Sequence, residues 1–214
     1  MKAIQVLLLV ITASVLTLSS TAVQAHDDHG LYLGVDAGPA IAKDTSLRDF
    51  PDAPPGGEVE FSTGCRIGLN LGYRFTDWFS LGAETGFIVN EIKGADAALL
   101  QAPILAVVEF RLPNKSPLVP FIGGGPGVSF SVLGINDDSL NSGSAVDGGA
   151  SDAVFAWQAY GGVRWNINAH LALGVTYKYF AAEAAEWEVD NTSQSVRFGR
   201  ARVQSITGGI SITF

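Results

Sequence analysis

Ionisable residues recur in this 214-residue chain at alternate positions of apolar-rich runs, where charge is costly unless it is paired. Asp36, Glu60, Arg66, Arg74, Glu84, Glu109, Arg111, Arg164 and Lys178 all stand in this way. Turned to one interior, these four acids and five bases would interlock as ion pairs and hydrogen bonds and plug it. If the pairs rearranged, the same set would line a narrow path for small solutes. Other chemistry is thinly supplied. His26-Asp27-Asp28-His29 has the residue types of a metal site, yet four adjacent residues at a terminus read more simply as a solvated tail. The glycine run from Gly123 to Gly127 has no helix after it, so it marks kinking or close approach of a strand, not a phosphate cradle. Cys65 is the lone cysteine, has no internal disulfide partner, and reads as a small apolar strand residue. No metal and no cofactor is expected.

The elements that must position the nine charges are visible as alternation. The clearest runs from Val59 to about Phe75, with Val59, Phe61, Thr63, Cys65, Ile67, Leu69, Leu71, Tyr73 and Phe75 on one face and Glu60, Arg66, Asn70 and Arg74 on the other. After a turn at Thr76-Asp77-Trp78, the apolar face resumes in Phe79, Leu81, Ala83, Thr85, Phe87 and Val89, opposite Ser80, Gly82, Glu84 and Gly86. The last stretch sets Ile206, Gly208, Ile210, Ile212 and Phe214 against Val203, Ser205, Thr207, Gly209, Ser211 and Thr213. Further strands are predicted at Leu31 to Ala37, about Ala97 to Leu112, Leu118 to Leu133, about Ala153 to Asn166, and from Leu171 to the start of a loop at Ala181. In the fourth strand, Leu105 and Val107 blur the polar face.

The connections have a rhythm. Those after strands two, four and six are short; Gly38 to Glu58, Gly134 to Asp152 and Ala181 to Gly199 are long. Short turns on one side, long loops on the other and an even strand count predict an all-β, eight-stranded antiparallel up-and-down transmembrane β-barrel. Aromatics then fall into two outward girdles. Tyr73, Phe75, Phe79, Phe110, Phe121, Trp165 and Phe214 lie toward the turns; Phe61, Phe87, Phe155, Trp157, Tyr177 and Tyr179 lie toward the loops. Amphipathic rings collect at the two interfaces of a bilayer in this manner.

The amino-terminus reads as an export signal. Met1 and Lys2 precede an apolar stretch from Ile4 to Leu18, and small residues end at Val23-Gln24-Ala25, the expected cleavage point. The mature barrel would occupy residues 26–214. The apolar stretch is shorter than the about 20 residues a spanning helix needs. Charged residues make up only 16% of the chain, low for a soluble domain, and the formal net charge is −8. No basic patch suited to nucleic acid is present. Much of the negative charge is in the long loops: Asp44, Asp49, Asp52, Glu58, Asp137, Asp138, Asp147, Asp152, Glu183, Glu186, Glu188 and Asp190, against Lys43, Arg48 and Arg197. Such a rim either solubilises the loops or holds divalent cations that bridge lipopolysaccharide.

The exported start, the hairpin Gly72-Tyr73-Arg74-Phe75-Thr76-Asp77-Trp78-Phe79 and the terminus Ile210-Ser211-Ile212-Thr213-Phe214 together resemble the small eight-stranded outer-membrane barrels of the OmpA transmembrane-domain, OmpX and OmpW type. The resemblance covers the whole mature chain. It implies residence in the outer membrane among lipid and lipopolysaccharide, with Phe214 as the signal read by the barrel-assembly machinery, and a monomer with a structural, envelope or surface-interaction role. Members range from adhesins to small channels and lipid-modifying enzymes. Barrel lipid A deacylases carry His and Ser two residues apart on a late strand; the corresponding Tyr177-Lys178-Tyr179-Phe180-Ala181 has neither, and His170 falls in a turn, so no enzyme activity is expected.

A soluble lipocalin-like barrel would need the opposite assignment, with the apolar face inward and the charges outside. Phe61, Phe75, Phe79, Phe87, Trp157 and Trp165 would then crowd one lumen. Cell fractionation separates the two: the protein should appear as a heat-modifiable band that requires detergent for extraction, whereas free solubility would reject the membrane barrel.

Overall fold

A computed structural model describes residues 29–43, 45–48, 58–93, 97–114, 116–135, 152–184, 186–188 and 195–214. Its strands are β1 (Gly30–Ala42), β2 (Thr45–Arg48), β3 (Glu58–Val59), β4 (Gly64–Thr76), β5 (Phe79–Glu91), β6 (Ala97–Arg111), β7 (Leu118–Ile135), β8 (Asp152–Asn166), β9 (Leu171–Ala182), β10 (Glu186–Glu188), β11 (Ser195–Phe198) and β12 (Ala201–Thr213). Eight of them close a barrel in the order β1-β12-β9-β8-β7-β6-β5-β4, all antiparallel. The first and last strands meet, with Tyr32 opposite Thr213 and Ala42 opposite Val203. The predicted barrel is therefore borne out, including its short turns at 77–78, 112–117 and 167–170.

Side-chain acceptors hold these turns. The amide of Phe79 donates to Thr76 Oγ1 at 3.0 Å, that of Ser116 to Asn114 Oδ1 at 2.8 Å, and those of His170 and Leu171 to Asn168 Oδ1 at 2.9 and 2.8 Å. Such short polar side chains substitute for backbone partners in tight turns.

Several strand assignments need correction. The first strand does not stop at Ala37 but runs through Gly38 and Pro39 to Ala42. Proline lacks an amide donor and is normally kept out of paired strands. Here the ladder opens locally: β1 and β12 pass from Ala37↔Gly208 to Ala40↔Ser205, while Pro39 keeps its place beside Cys65 on β4. Pro103 is passed over in the same way between β5 and β6, and Pro126 between β6 and β7. The expected loop regions also contain structure. β2 and β3 from the first loop join β10 and β11 from the last in a four-stranded sheet, order β10-β11-β2-β3. Of the acidic loop residues, Asp44, Asp49, Asp52, Asp137, Asp138, Asp147 and Asp190 lie outside the described residues, as do residues 1–25 and His26, Asp27 and Asp28.

The second strand is not continuous from Val59. Four positions separate Phe61 from Cys65, but three separate their partners Ile92 and Val89. One extra residue is a bulge, and a slip of one exchanges the faces. Phe61, expected outward, is consequently buried. Asn90 secures the break by donating to the carbonyls of Ala40 (3.0 Å) and Ser62 (3.2 Å). Phe121 is the second aromatic displaced from the girdles: it is buried inside, and Ile122 faces out in its stead.

The interior has two zones. Toward the loops, the strand ends contribute Ala40, Ile88, Val154, Ala156, Phe180, Ala182 and Val203, which pack with Leu105 and Val107 into an apolar cluster, with Asn90, Gln101, Ser129, Ser131 and Ser205 buried in the same half. Toward the turns, the interior is polar and charged. Glycines make room there for the tyrosines: a side chain at Gly72 or Gly82 would collide with the Tyr32 hydroxyl, and one at Gly123 with the Tyr160 ring. The glycine run thus marks close approach.

Phe180 is fully buried in the apolar layer. Phe180→Ala should lower unfolding stability by about 3–5 kcal/mol, read from urea titration of the folded barrel in lipid vesicles.

Candidate functional site

The middle of the lumen is organised on Glu84 of β5. Its Oε1 accepts from Arg66 Nη2 (β4) at 2.6 Å and from Lys178 Nζ (β9) at 2.7 Å; its Oε2 accepts from Gln158 Nε2 (β8) at 3.0 Å. Arg66 also donates to Gln158 Oε1. Lys178 bridges onward to Asp36 Oδ2 on β1 at 2.8 Å, and Asn70 Nδ2 donates to the same oxygen at 2.9 Å. Arg66, Glu84, Gln158 and Lys178 are buried. Five strands are thus tied across the lumen by one network.

A second cluster lies nearer the turns. Arg164 of β8 forms a two-pronged pair with Glu109 of β6, at 2.9 and 3.2 Å, and its guanidinium sits 4.7 Å from the Phe121 ring centre. The fork of a guanidinium matches a carboxylate, and its flat face suits an aromatic ring. Arg111 Nε is 3.8 Å from Glu109, and its Nη2 donates to the Thr76 carbonyl at 3.1 Å. Between the clusters is a cavity of about 60 Å³ bordered by Tyr32, Asp36, Glu84, Glu109, Tyr160 and Arg164. Its volume suits a few waters and is far below that of metabolite pockets.

Arg74 is buried at the turn-side mouth, where it shares a cavity of about 170 Å³ with Asn166, Asn168, His170 and Thr213. His170 Nδ1 lies 2.9 Å from the Thr213 carbonyl oxygen. Of the nine charges singled out in the sequence, the structure brings Asp36, Arg66, Arg74, Glu84, Glu109, Arg111, Arg164 and Lys178 inside. Glu60 is corrected: beyond the bulge it points to solvent, where Lys93 pairs with it at 3.3 Å. The interior set is then three acids and five bases. Gln158, Asn70, Tyr32, Tyr160 and Phe121 complete the site. The first four lie on the inward alternation, a signal available from sequence; the glycines around Phe121 leave its side unmarked.

Outside, Tyr73, Phe75, Trp78, Phe79 and Phe110 form a chain of ring contacts at 5.0–6.1 Å near the turns. Leu71, Ile67, Ile104, Val175 and Ile206 expose an aliphatic band above it, and Phe87, Phe155, Trp157 and Tyr177 lie beyond. An apolar exterior between two aromatic belts, around a polar core, is the reverse of a water-soluble barrel. The family profile described as "outer membrane protein beta-barrel domain" matches residues 10–202. The chain belongs to this family. Barrels of this kind carry their long loops on the extracellular side and their short turns on the periplasmic side. Among solved structures, it is similar to Neisserial surface protein A, with TM-score 0.57 and 15% identity over 86% of this chain and 97% of that one. It is also similar to outer membrane protein OprG from Pseudomonas aeruginosa (TM-score 0.56, 17% identity, 90% of this chain and 100% of that one). Outer membrane protein AlkL gives a TM-score of 0.59 at 13% identity, over 92% of this chain and 95% of that one. These likenesses concern the fold. A search of curated proteins finds no match.

Glu84→Gln leaves Arg66 and Lys178 facing a neutral amide. Removing one member of a buried ion pair typically costs about 3–5 kcal/mol. The variant should lose stability on that scale in urea titrations, whereas Glu60→Gln at the exposed rim should change it by about 0–1 kcal/mol.

Proposed function

We propose that this outer-membrane barrel is closed, and that it serves as a rigid membrane anchor for an extracellular surface used in interaction or envelope structure. The observation that carries this reading is the Asp36–Lys178–Glu84–Arg66–Gln158 network, interleaved with the buried apolar side chains of Ile88, Leu105 and Phe180, which pair across strands with Arg66, Glu84 and Gln158. An ion moving through would have to break desolvated pairs and pass the apolar side chains packed among them, and each step is costly. The sheet of β2, β3, β10 and β11, built from the first and last long loops, is the natural interaction surface.

The reading includes export through cleavage after Ala25 and recognition of the closing strand by the barrel-assembly machinery. Phe214 supports the latter: its side chain is 70% exposed, while its amide donates to the Leu31 carbonyl at 2.8 Å, so the terminal ring is presented from a paired strand. The reading takes the protein as a monomer; it assigns no enzyme activity, since the late-strand positions around Lys178 carry no histidine or serine and His170 sits in a turn.

Planar-bilayer recordings test the closed state. The wild-type barrel should give no steady conductance. A steady wild-type conductance that changes in Arg66→Ala or Glu84→Ala would instead make the network the gate of a narrow channel.

A further inference from the structure

The extracellular end of the β1–β12 seam carries charge that the lumen does not use. Lys43 follows β1 and Arg202 lies in β12; the Lys43 amide donates to the Arg202 carbonyl at 2.8 Å, so the two residues are direct cross-strand neighbours. Both side chains are exposed, and both continue the outward alternation, above Ile41 on one strand and Gln204 and Ile206 on the other. Like charges directly opposite each other on adjacent strands repel. Among the described residues, no carboxylate pairs with either: the neighbouring Glu183 is engaged by Arg200 Nε at 2.9 Å. By contrast, at the top of β5, Lys93 is balanced by Glu60 and stands near the exposed Glu91.

Below the two cations is a patch suited to sugar and headgroup contact. Tyr177 Oη donates to Gln204 Oε1 at 3.0 Å, and the Trp157 and Tyr179 rings are 5.5 Å apart. Amphipathic rings and long cationic side chains at this depth sit at the interface, with aliphatic stems against the apolar band and charged ends toward the headgroups.

We propose that this patch is a binding site for the phosphorylated headgroup of an outer-leaflet glycolipid, with Lys43 and Arg202 converging on phosphate and Tyr177, Gln204 and Trp157 beside its sugar. The site faces the bilayer, which commits it to a membrane lipid; it does not depend on whether the lumen is closed. An anion placed between the two cations relieves their repulsion, giving this seam a fixed lipid neighbour.

Native mass spectrometry of the folded barrel, with phosphorylated lipid A and its dephosphorylated form as probes, tests the site. Wild type should retain the phosphorylated lipid in clear preference. Lys43→Gln with Arg202→Gln should weaken retention about thirtyfold, from the attraction typical of two interfacial cations. Lys43→Arg with Arg202→Lys should preserve it, and Lys93→Gln should leave it unchanged. Equal binding of the two lipids by wild type overturns the proposal without recourse to any variant. So does an equal loss in Lys93→Gln, which would reflect net charge alone, or displacement of the lipid by inorganic phosphate at matching concentration, which would mark an unspecific anion site.

Discussion

The carboxylate of Glu84 is the point on which the interior depends. Three donors from three strands reach it, and one of them, Lys178, extends the connection to Asp36 on a fourth. An eight-stranded ring leaves an interior only about as wide as the side chains that fill it. Charges placed there lose water and must find each other. The surrounding architecture follows from that need: glycines at 72, 82 and 123 clear space for tyrosines, and Gly68 and Gly209 clear space for Asp36. With the centre filled in this way, the barrel presents different solvents to its two surfaces without leaving backbone donors unmet.

The lumen is polar only in part. On the extracellular side, Phe180, Ile88 and Val203 form a layer that would look ordinary in a soluble protein. Burial of this layer follows from the hydrophobic effect within the lumen, while the outer aliphatic band needs only to match the lipid. The two kinds of apolar residue occupy opposite faces of the same strands, as at Tyr177 and Phe180 or Ile206 and Val203. The barrel strands, of 12 to 18 residues, exceed the about 9–11 needed to cross a bilayer, so their upper ends can carry the loop sheet clear of the headgroups.

Period-two alternation made the barrel and most of its interior legible. Glu84, Arg66 and Lys178 are legible because each is a charge on the small-residue face of its strand, and Arg66 falls on the far side of the bulge, where the alternation is unbroken through β4. Glu60 and Phe61 were misplaced for a physical reason: one bulged residue reverses the faces, and the letters Ser62-Thr63-Gly64 carry no sign of it. Phe121 was misplaced because the glycines that follow it have no side chains by which to phase the strand. Pro39 suggested a strand end, but a closed ring can open its ladder on one side of a proline and retain it on the other. The apolar layer had a trace in Leu105 and Val107, two residues that disturbed an otherwise polar face. Gln158 shows the remaining gap: alternation placed it inside, but nothing local reveals that it would meet both Arg66 and Glu84.

The loop sheet has a consequence for the order in which the molecule is made. β2 belongs to the first loop and β11 to the last, and they pair directly above the place where β1 meets β12. Contacts between such distant parts of the chain form late, because the intervening chain must be organised before they are gained. The barrel therefore has a clasp outside the β1–β12 seam, one that continues that ladder past Lys43 and Arg202. Reopening the ring between β1 and β12 would require undoing this second joint as well as the barrel ladder itself.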